Sequence, residues 1–253
     1  MIYRLCWFLL MFGLLAPVRG GAADASSEKR LLRVAIETGW PPMELLDGGG
    51  RVVGFTVDYM DAVAREGGFA VSYVTVDWDR MFSELEAGRV DVIASSVSIT
   101  PARQRVMDFS LPYYEVQQAV VTPAAASLRD GGDVSGMRLA AQVGTTGFDT
   151  AMRFADCEVR AYEKIEGAFR ALADGEADGV VCDDPVASSY ILRNDYGAAG
   201  MKVALTLTAS DPECYGFAVG KGNAAVLALL NAGIVRVQEK GLDTELRRKW
   251  IGY

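Results

Sequence analysis

The chain has 253 residues, 51% of them hydrophobic, and a formal net charge of −8. This length and composition suit a globular protein with two modest hydrophobic cores. The acidic balance argues against nucleic acid or an anionic membrane as a partner. Because the sequence contains no histidine and no CxxC pair, it excludes Ser-His and Cys-His nucleophilic pairs and histidine-ligated metal sites, and we expect neither a metal nor a cofactor.

The first segment has the pattern of a secretory signal peptide. Arg4 is followed by an apolar stretch over 5–15, which is too short to span a bilayer comfortably, and then by small residues. We therefore expect residues 1–25 to be cleaved on export, which predicts a periplasmic protein. An uncleaved membrane anchor is the alternative, but no charged stop-transfer pattern follows the apolar stretch.

The next part of the chain alternates between strand-like apolar runs and helical patterns. We predict strands at 32–36, 71–75 and 90–94 and helices at 55–67 and 78–88. This alternation indicates βαβ units on a mostly parallel sheet.

A second series of the same kind begins after residue 122. The segment 124–136 is rich in Ala, Gly and Asp and predicts a surface connection into this second unit. The predicted strands are 137–141, 158–162 and 178–182, and the predicted helices are 147–154, 164–174 and 184–194. Beyond residue 215 we predict a strand at 216–219 and helices at 223–238 and 243–250.

The segment 95–108 contains the first candidate binding residues. Ser96 and Ser98 follow a buried strand, and Pro101 suits the first turn of a helix. Backbone N–H groups at such a position, together with the guanidinium of Arg103, form a geometry that binds a carboxylate through parallel hydrogen bonds. A helix N-terminus with a solvated arginine is the simpler alternative.

Two further strand ends carry polar residues. Residues 142–147 follow an apolar run and can form a second anion-binding turn from backbone N–H groups. Asp183 and Asp184 end another apolar run, and Asp184 precedes Pro185, so we interpret Asp184 as a helix N-cap. Asp183 has no such structural role. An arginine for a carboxylate and an aspartate for an ammonium together suit an α-amino acid.

The order of these motifs resembles that of periplasmic polar-amino-acid-binding proteins of ABC importers, the family 3 solute-binding proteins. Each motif is loose alone, but they occur in register along nearly the whole chain after residue 31. They are Leu-Arg-Val-Ala-Ile-Glu at 32–37, Pro-Pro-Met-Glu at 41–44, and the segments 53–58, 76–78, 98–101, 108–114, 144–146, 183 and 215–216.

The resemblance implies an α/β fold, the two-lobed type II periplasmic-binding-protein fold with two crossing hinge strands. Lobe 1 would comprise residues 26–117 and 216–253, and lobe 2 residues 123–210. The hinge strands would be 118–122 and 211–215. In this architecture the ligand binds in the cleft between the lobes, at the C-terminal ends of strands, and the hinge closes on it.

The resemblance also assigns residues to the two charged groups of an amino-acid ligand. Arg103 would bind the α-carboxylate with backbone from Ser98 and Thr146. Asp183 would bind the α-ammonium together with Ser96.

Four further residues would surround the ligand side chain. Trp40 and Trp78 correspond to an aromatic pair that sandwiches it, Glu37 lies at its distal end, and Gln142 stands where relatives differ. The carboxylate of Glu37, together with the π faces of the two tryptophans, favours a basic amino acid as the ligand first and glutamine second. Packed tryptophans and a salt-bridged Glu37 are the structural alternatives for these residues.

Three cysteines remain beyond the predicted signal peptide, so at least one is unpaired within a monomer. If a disulfide forms, we expect Cys182 to pair with Cys214. We expect Cys157 and Cys182 on opposite edges of one sheet, which is too far for a bridge.

Together these features predict a monomeric, non-enzymatic protein of the periplasm that binds a polar, basic L-amino acid and delivers it to an ABC permease in the inner membrane. One alternative is an enzyme similar to cyclohexadienyl or arogenate dehydratases, which needs only a well-placed carboxylic acid. Another is a ligand-sensing partner of a membrane receptor.

Overall fold

The computed structural model describes residues 29–193, 200–208 and 212–252. The predicted signal peptide falls outside these ranges and stays a prediction. Among the helices that are described, none combines the length and apolar character that crossing a bilayer requires.

Strands and helices alternate along the chain as the apolar periodicity predicts. The first half contains β1 (Leu31–Ile36), β2 (Leu45–Leu46), β3 (Val52–Val53), α1 (Phe55–Gly67), β4 (Ala70–Thr75), α2 (Trp78–Glu86), β5 (Val92–Ile93), α3 (Pro101–Gln104), β6 (Met107–Phe109) and β7 (Tyr114–Val116). The second half contains β8 (Gln118–Pro123), a 3-10 turn (Gly131–Val134), β9 (Arg138–Gln142), α4 (Thr146–Ala151), β10 (Glu158–Tyr162), α5 (Ile165–Ala173), β11 (Gly179–Asp183), α6 (Asp184–Arg193), β12 (Met201–Leu207), β13 (Glu213–Tyr215), β14 (Ala218–Gly220), α7 (Ala224–Glu239) and α8 (Leu242–Trp250).

Lobe 1 is built on a five-stranded sheet with the order β4-β1-β5-β14-β6. The pairs β1–β4 and β1–β5 are parallel, whereas β14 lies antiparallel to both β5 and β6. The C-terminal part of the chain therefore returns to the first lobe. Helices α1 and α7 pack together so closely that a Cβ on Gly233 would lie 2.3 Å from the carbonyl oxygen of Val63.

Lobe 2 contains the second five-stranded sheet, with the order β10-β9-β11-β8-β12. Strands β9, β10 and β11 are parallel, and β8 pairs antiparallel with its neighbours β11 and β12. Its core contains buried residues of helices α5 and α6, with the rings of Phe169 and Tyr190 stacked 4.1 Å apart between centroids.

The two segments expected as hinge strands lie in different places. Residues 118–122 lie inside the sheet of lobe 2 as part of β8, whereas 213–215 of the second segment form β13. The strands between the lobes are β7 and β13, which form a separate antiparallel pair. All four residues of Gln118–Val121 are buried, and the three that follow Gln118 are apolar. Such a run is typical of a central strand rather than of an exposed connection.

The expected disulfide between Cys182 and Cys214 is absent, and both thiols are free, as is that of Cys157. On β11, Asp183 faces the cleft, so its neighbour Cys182 points the other way into the core of lobe 2 and is 1% exposed. On β13, Cys214 likewise alternates with the cleft-facing Tyr215. The two thiols point away from the cleft on different parts of the molecule, and burial raises the pKa of Cys182 well above its usual range.

Candidate functional site

Polar residues from the strand ends of both lobes meet around one small cavity. Seven of the nine predicted site residues line it, and Ser95 and Thr145 complete the lining. The volume open to a water-sized molecule inside this cavity is only about 10 Å³, far less than the range usual for small-molecule pockets. The lobes are therefore closed over the site. The seven residues are Trp40, Trp78, Ser96, Ser98, Arg103, Thr146 and Asp183.

Arg103 extends from the short helix α3, whose N-cap Thr100 accepts a hydrogen bond from the Arg103 backbone N–H at 3.2 Å. Its guanidinium donates to the carbonyl oxygen of Ser98 at 2.9 Å and, across the cleft, to that of Gly144 at 3.1 Å. The guanidinium carbon lies 5.3 Å from the ring centre of Trp78. Burial lowers the pKa of Arg103, but an arginine stays charged at neutral pH. The cavity therefore contains a fixed cation.

Asp183 ends β11 and is 4% exposed. Its carboxylate accepts hydrogen bonds from the amide of Gln118 at 2.5 Å and from the hydroxyl of Tyr215. Burial, and then the neighbouring charge of Glu213, raise the pKa of Asp183 to about 7, although the two hydrogen bonds oppose this change. A cation bound beside Asp183 would favour its ionised form.

Ser96 adopts a left-handed backbone conformation with φ of 48°, which is uncommon for a residue with a side chain. Its hydroxyl donates to Oε1 of Glu44 at 2.7 Å. Glu44 is fully buried, and burial raises its pKa to about 8. Gly54 allows this close packing, since a Cβ there would lie 2.0 Å from the carbonyl oxygen of Met43. The sequence motif at 41–44 contained Glu44, but we assigned it no role.

Glu37 and Gln142 do not line the cavity; they bond to each other across the cleft. The Gln142 amide donates to Glu37 Oε2 at 3.0 Å, and its oxygen accepts from the Trp40 indole at 3.0 Å. The other oxygen of Glu37 accepts from the backbone N–H of Trp78 at 3.2 Å. Burial raises the pKa of Glu37, while the hydrogen bond from Gln142 lowers it. The polar groups of Glu37 and Gln142 at the distal end of the site thus already have hydrogen-bond partners within the protein.

Both tryptophans also pack in hydrophobic clusters. Trp40 belongs to the loop after β1 in lobe 1 but contacts the core of lobe 2. Trp78 begins α2, packs in lobe 1 and meets the ring of Phe82 edge-on at 5.0 Å. Each tryptophan therefore both lines the cavity and packs in a hydrophobic cluster, and Trp40 joins the two lobes through its apolar surface.

Glu213 is a site residue that the sequence analysis missed. From the strand β13 its Oε1 accepts hydrogen bonds from the hydroxyls of Ser98 at 2.5 Å and Thr146 at 2.6 Å. Its Oε2 accepts from the Gln118 amide at 3.2 Å. Glu213 and Tyr215 are two residues apart on one strand and so face the same side. That spacing, next to the motif at 215–216, was the available signal.

Further contacts join the lobes outside the cavity. The hydroxyl of Tyr190 donates to the carbonyl oxygen of Gly39 at 2.8 Å. Lys164 pairs with Asp77 at 3.2 Å, but both side chains are more than half exposed, so this ion pair contributes little.

Two α/β lobes joined by a pair of short strands, with a polar cavity closed between them, define a two-lobed solute-binding protein. The sequence pattern of the bacterial extracellular solute-binding proteins, family 3, matches residues 32–253, and the chain belongs to this family. The chain is 33% identical over 237 residues to a probable histidine-binding protein of Neisseria gonorrhoeae, covering 92% of this chain and 87% of the relative.

Solved structures agree with this assignment. An ancestral arginine-binding protein bound to arginine superposes with a TM-score of 0.83 at 31% identity, covering 89% of this chain and 100% of that one. An ancestral arginine-binding protein bound to glutamine gives a TM-score of 0.82 at 32% identity, with coverages of 89% and 99%. The predicted type II fold is confirmed.

Proposed function

We propose that the protein binds a basic L-α-amino acid in the cavity between its lobes and delivers it to an ABC importer. The observation that carries this proposal is that Arg103 of lobe 1 and Asp183 of lobe 2 line one cavity. A fixed cation and a fixed carboxylate in one enclosed space match the two charges of an amino-acid zwitterion.

The α-carboxylate is assigned to Arg103 and to the N-terminus of α4. Thr146 is the first residue of this helix, so its backbone N–H has no partner within the helix and is available to an anion. The α-ammonium is assigned to Asp183 with the hydroxyl of Ser96. Because one charge comes from each lobe, the ligand itself links the lobes and stabilises closure.

The ligand side chain is assigned to the tryptophan pair and to Glu37. A cationic side chain would gain from the π face of Trp78 and from the Glu37 carboxylate, which it reaches by displacing the amide of Gln142. The relatives named for histidine and arginine support a basic ligand, and the glutamine-bound ancestral protein supports glutamine as the second choice.

A binding role is favoured over catalysis because only one acid lines the cavity, and the protein holds it in place. Asp183 accepts two hydrogen bonds, and Glu44 lies behind Ser96 rather than in the cavity lining. We place the mature protein in the periplasm as a monomer that docks on the permease of an importer, in keeping with the extracellular solute-binding family.

The direct test is a thermal-shift screen of the mature chain against the common L-amino acids, followed by calorimetry. A ligand present at 100 times its Kd adds about 2.7 kcal/mol to the stability of the folded protein. We expect shifts from arginine, histidine and lysine, a smaller one from glutamine, and none from glutamate. A preference for glutamate would contradict the basic assignment, and no response to any amino acid would contradict the function.

The enzymatic alternative has its own test. The protein is incubated with prephenate and arogenate, and the aromatic products are followed by their ultraviolet absorbance. We expect no turnover above the uncatalysed rate, and product formation that Asp183→Asn abolishes would replace binding by dehydration as the function.

A further inference from the structure

Three hydroxyl groups that line the cavity each donate their proton to a carboxyl group behind it. Ser98 and Thr146 donate to Glu213, and Ser96 donates to Glu44. Neither Glu213 nor Glu44 is part of the cavity lining. The hydroxyls therefore stand between the cavity and a second layer of acidic groups.

We propose that Glu213 is a positioning residue that makes the Ser98 and Thr146 hydroxyls act only as hydrogen-bond acceptors toward the ligand, so that the site selects an α-ammonium over an α-hydroxyl. The proposal deepens the proposed function and rests on it.

The selection follows from counting protons. A hydroxyl has one proton to donate and two lone pairs, whereas a carboxylate only accepts. Once Ser98 and Thr146 have given their protons to Glu213, only lone pairs remain for the cavity. An α-ammonium has three N–H donors, and those not bound by Asp183 and Ser96 meet these lone pairs. The backbone N–H of Thr146 remains with the α-carboxylate, so only its hydroxyl is added to the ammonium site. An α-hydroxyl has one proton and leaves acceptors facing its own oxygen without a hydrogen bond, which is costly in an enclosed site.

The orientation of Glu213 is fixed by its other oxygen. That oxygen lies 3.2 Å from the Gln118 amide nitrogen, which also lies 2.5 Å from Asp183 and 3.2 Å from the Thr146 hydroxyl. Because this nitrogen has two protons, one of them is shared between two acceptors. Gln118 is held in β8, which is buried within the lobe 2 sheet. The hydrogen bonds to Glu213 and Asp183 therefore all have the same direction: the amide and the hydroxyls donate, and the carboxylates accept.

The substitution Glu213→Gln disrupts this direction with little change in shape. If the new amide nitrogen faces Gln118, two N–H donors oppose each other. If it faces the hydroxyls instead, it donates to them and releases their protons toward the cavity. The first orientation is disfavoured because it leaves opposed N–H donors without acceptors, so the second prevails, and Ser98 and Thr146 then cease to be fixed acceptors for an ammonium.

The test compares each amino acid with the analogue in which a hydroxyl replaces the ammonium. Calorimetry measures L-arginine against 2-hydroxy-5-guanidinopentanoic acid, and L-histidine against imidazole lactic acid. We expect the wild-type protein to prefer the amino acid by at least about a hundredfold, and Glu213→Gln to lower that ratio by at least about tenfold, or 1.4 kcal/mol. The change should come from weaker binding of the amino acid.

Glu115→Gln is the matched control. Glu115 lies on the paired strand β7 opposite Cys214, is exposed, and the substitution removes the same charge. We expect the Glu115→Gln variant to keep the wild-type ratio of amino-acid to hydroxy-acid affinity. A purely structural role of Glu213 would weaken both members of each pair equally and leave the ratio unchanged, and that result would overturn the proposal.

The two proposals fail in different ways. If the wild-type protein binds neither L-arginine nor L-histidine, the basic amino-acid assignment fails and this inference with it. If the wild type binds one of them and loses it in Arg103→Ala, but Glu213→Gln keeps the wild-type ratio, only the role of Glu213 is overturned.

Discussion

The two ends of the site differ in how their polar groups are satisfied. At the α-group end, Arg103 and Asp183 line the cavity from opposite lobes. At the distal end, Glu37 and Gln142 bond to each other and lie outside the cavity lining. Arg103 and Asp183 also have protein partners, but the guanidinium keeps N–H donors and the carboxylate keeps lone pairs for a ligand. Glu37 and Gln142, in contrast, must first be separated from each other.

This difference implies that the α-group end determines most of the affinity, whereas the distal end determines the preference among side chains. The α-group end meets features that every amino acid shares, so it contributes similar binding energy for all of them. The distal end gains only the difference between a ligand contact and the Glu37–Gln142 hydrogen bond that it replaces. Side-chain preference is therefore expected to be modest, and changes at the α-group end should have the larger effects.

The largest effect is expected from Arg103→Ala. The variant removes the only arginine of the cavity lining and leaves the ligand carboxylate without its counter-charge in an enclosed site. Binding should weaken by roughly 2 to 5 kcal/mol, and Arg103→Lys should recover it in part. Calorimetry measures both variants, and an Arg103→Ala affinity within about threefold of wild type would falsify the carboxylate assignment.

Asp183→Asn should be nearly as damaging because the ammonium loses its counter-charge. We expect a loss of about 2 to 3 kcal/mol for every amino acid, basic or neutral. Asp184→Asn is the control, since Asp184 accepts from the backbone of Gln117 and does not line the cavity. Equal affinities of the two variants in calorimetry would remove Asp183 from the ammonium site.

The pH dependence of binding tests the same end of the site. Asp183 has a pKa of about 7 in the ligand-free protein and must be ionised to hold an ammonium. Affinity for L-glutamine, whose side chain does not titrate, should therefore fall by at most about tenfold for each pH unit below 7. Asp183→Asn should show a flat profile over the same range, and a flat wild-type profile would contradict the assignment.

The stability of the ligand-free protein should fall as the pH rises, which is the opposite of the trend expected for ligand affinity. Folding raises the pKa of Asp183 from 3.8 to about 7 and that of Glu44 from 4.5 to about 8. Each group therefore stabilises the fold fully below its unfolded pKa, and this contribution is lost as the pH rises through 7 to 8. Carboxylates with lowered pKa, such as Asp91, change only in more acidic solution. The Tm should fall between pH 5 and 8.5, less so in Asp183→Asn; a rising Tm would show that other groups dominate.

At the distal end we expect smaller effects. Glu37→Gln should weaken L-arginine by about 1 kcal/mol more than L-glutamine, because only the cationic side chain loses an ion pair. Competition calorimetry with both ligands gives the difference directly. Equal losses would mean that Glu37 acts through the hydrogen bond to Gln142 that closes the lobes, and not through ligand charge.

The smallest effect is expected from Tyr190→Phe, outside the cavity. The variant removes the hydrogen bond to the Gly39 carbonyl that joins the lobes but keeps the ring stacked on Phe169. Affinity should fall by about 0.5 to 1.5 kcal/mol and by the same factor for every ligand, because closure and not recognition is altered. A change in the order of ligand preference would contradict this separation.

Much of the fold could be predicted because apolar periodicity marks β1, α1, β10 and the other long elements directly. The convergence of Arg103 and Asp183 followed from their positions at strand ends. Three-residue strands such as β7 and β13 carry too little periodicity, and their pairing depends on where the chain returns after β12. The crossing at 118–122 comes from the family resemblance alone, whereas the apolar run there is typical of a central strand.

The acids behind the cavity could not be predicted for a related reason. Glu213 belongs to β13, so its approach to Ser98 and Thr146 depends on the hinge geometry and on closure of the lobes. Glu44 meets Ser96 across a sequence separation of 52 residues, in a segment where Gly54 packs against the backbone of Met43. Glu37 and Gln142 were assigned to the ligand one by one, and a sequence does not reveal that two such residues satisfy each other.

The central claim is that Arg103 and Asp183 hold the two charged ends of one zwitterion, and a cycle of two ligands and two proteins tests it most directly. Calorimetry compares L-arginine with agmatine, which keeps the guanidinium and amine but lacks the carboxylate, in the wild type and in Arg103→Ala. We predict that the wild type prefers L-arginine by at least about a hundredfold and that Arg103→Ala loses most of this preference, a coupling of at least about 1.5 kcal/mol. An undiminished preference in Arg103→Ala would show that Arg103 does not bind the carboxylate and would contradict the account.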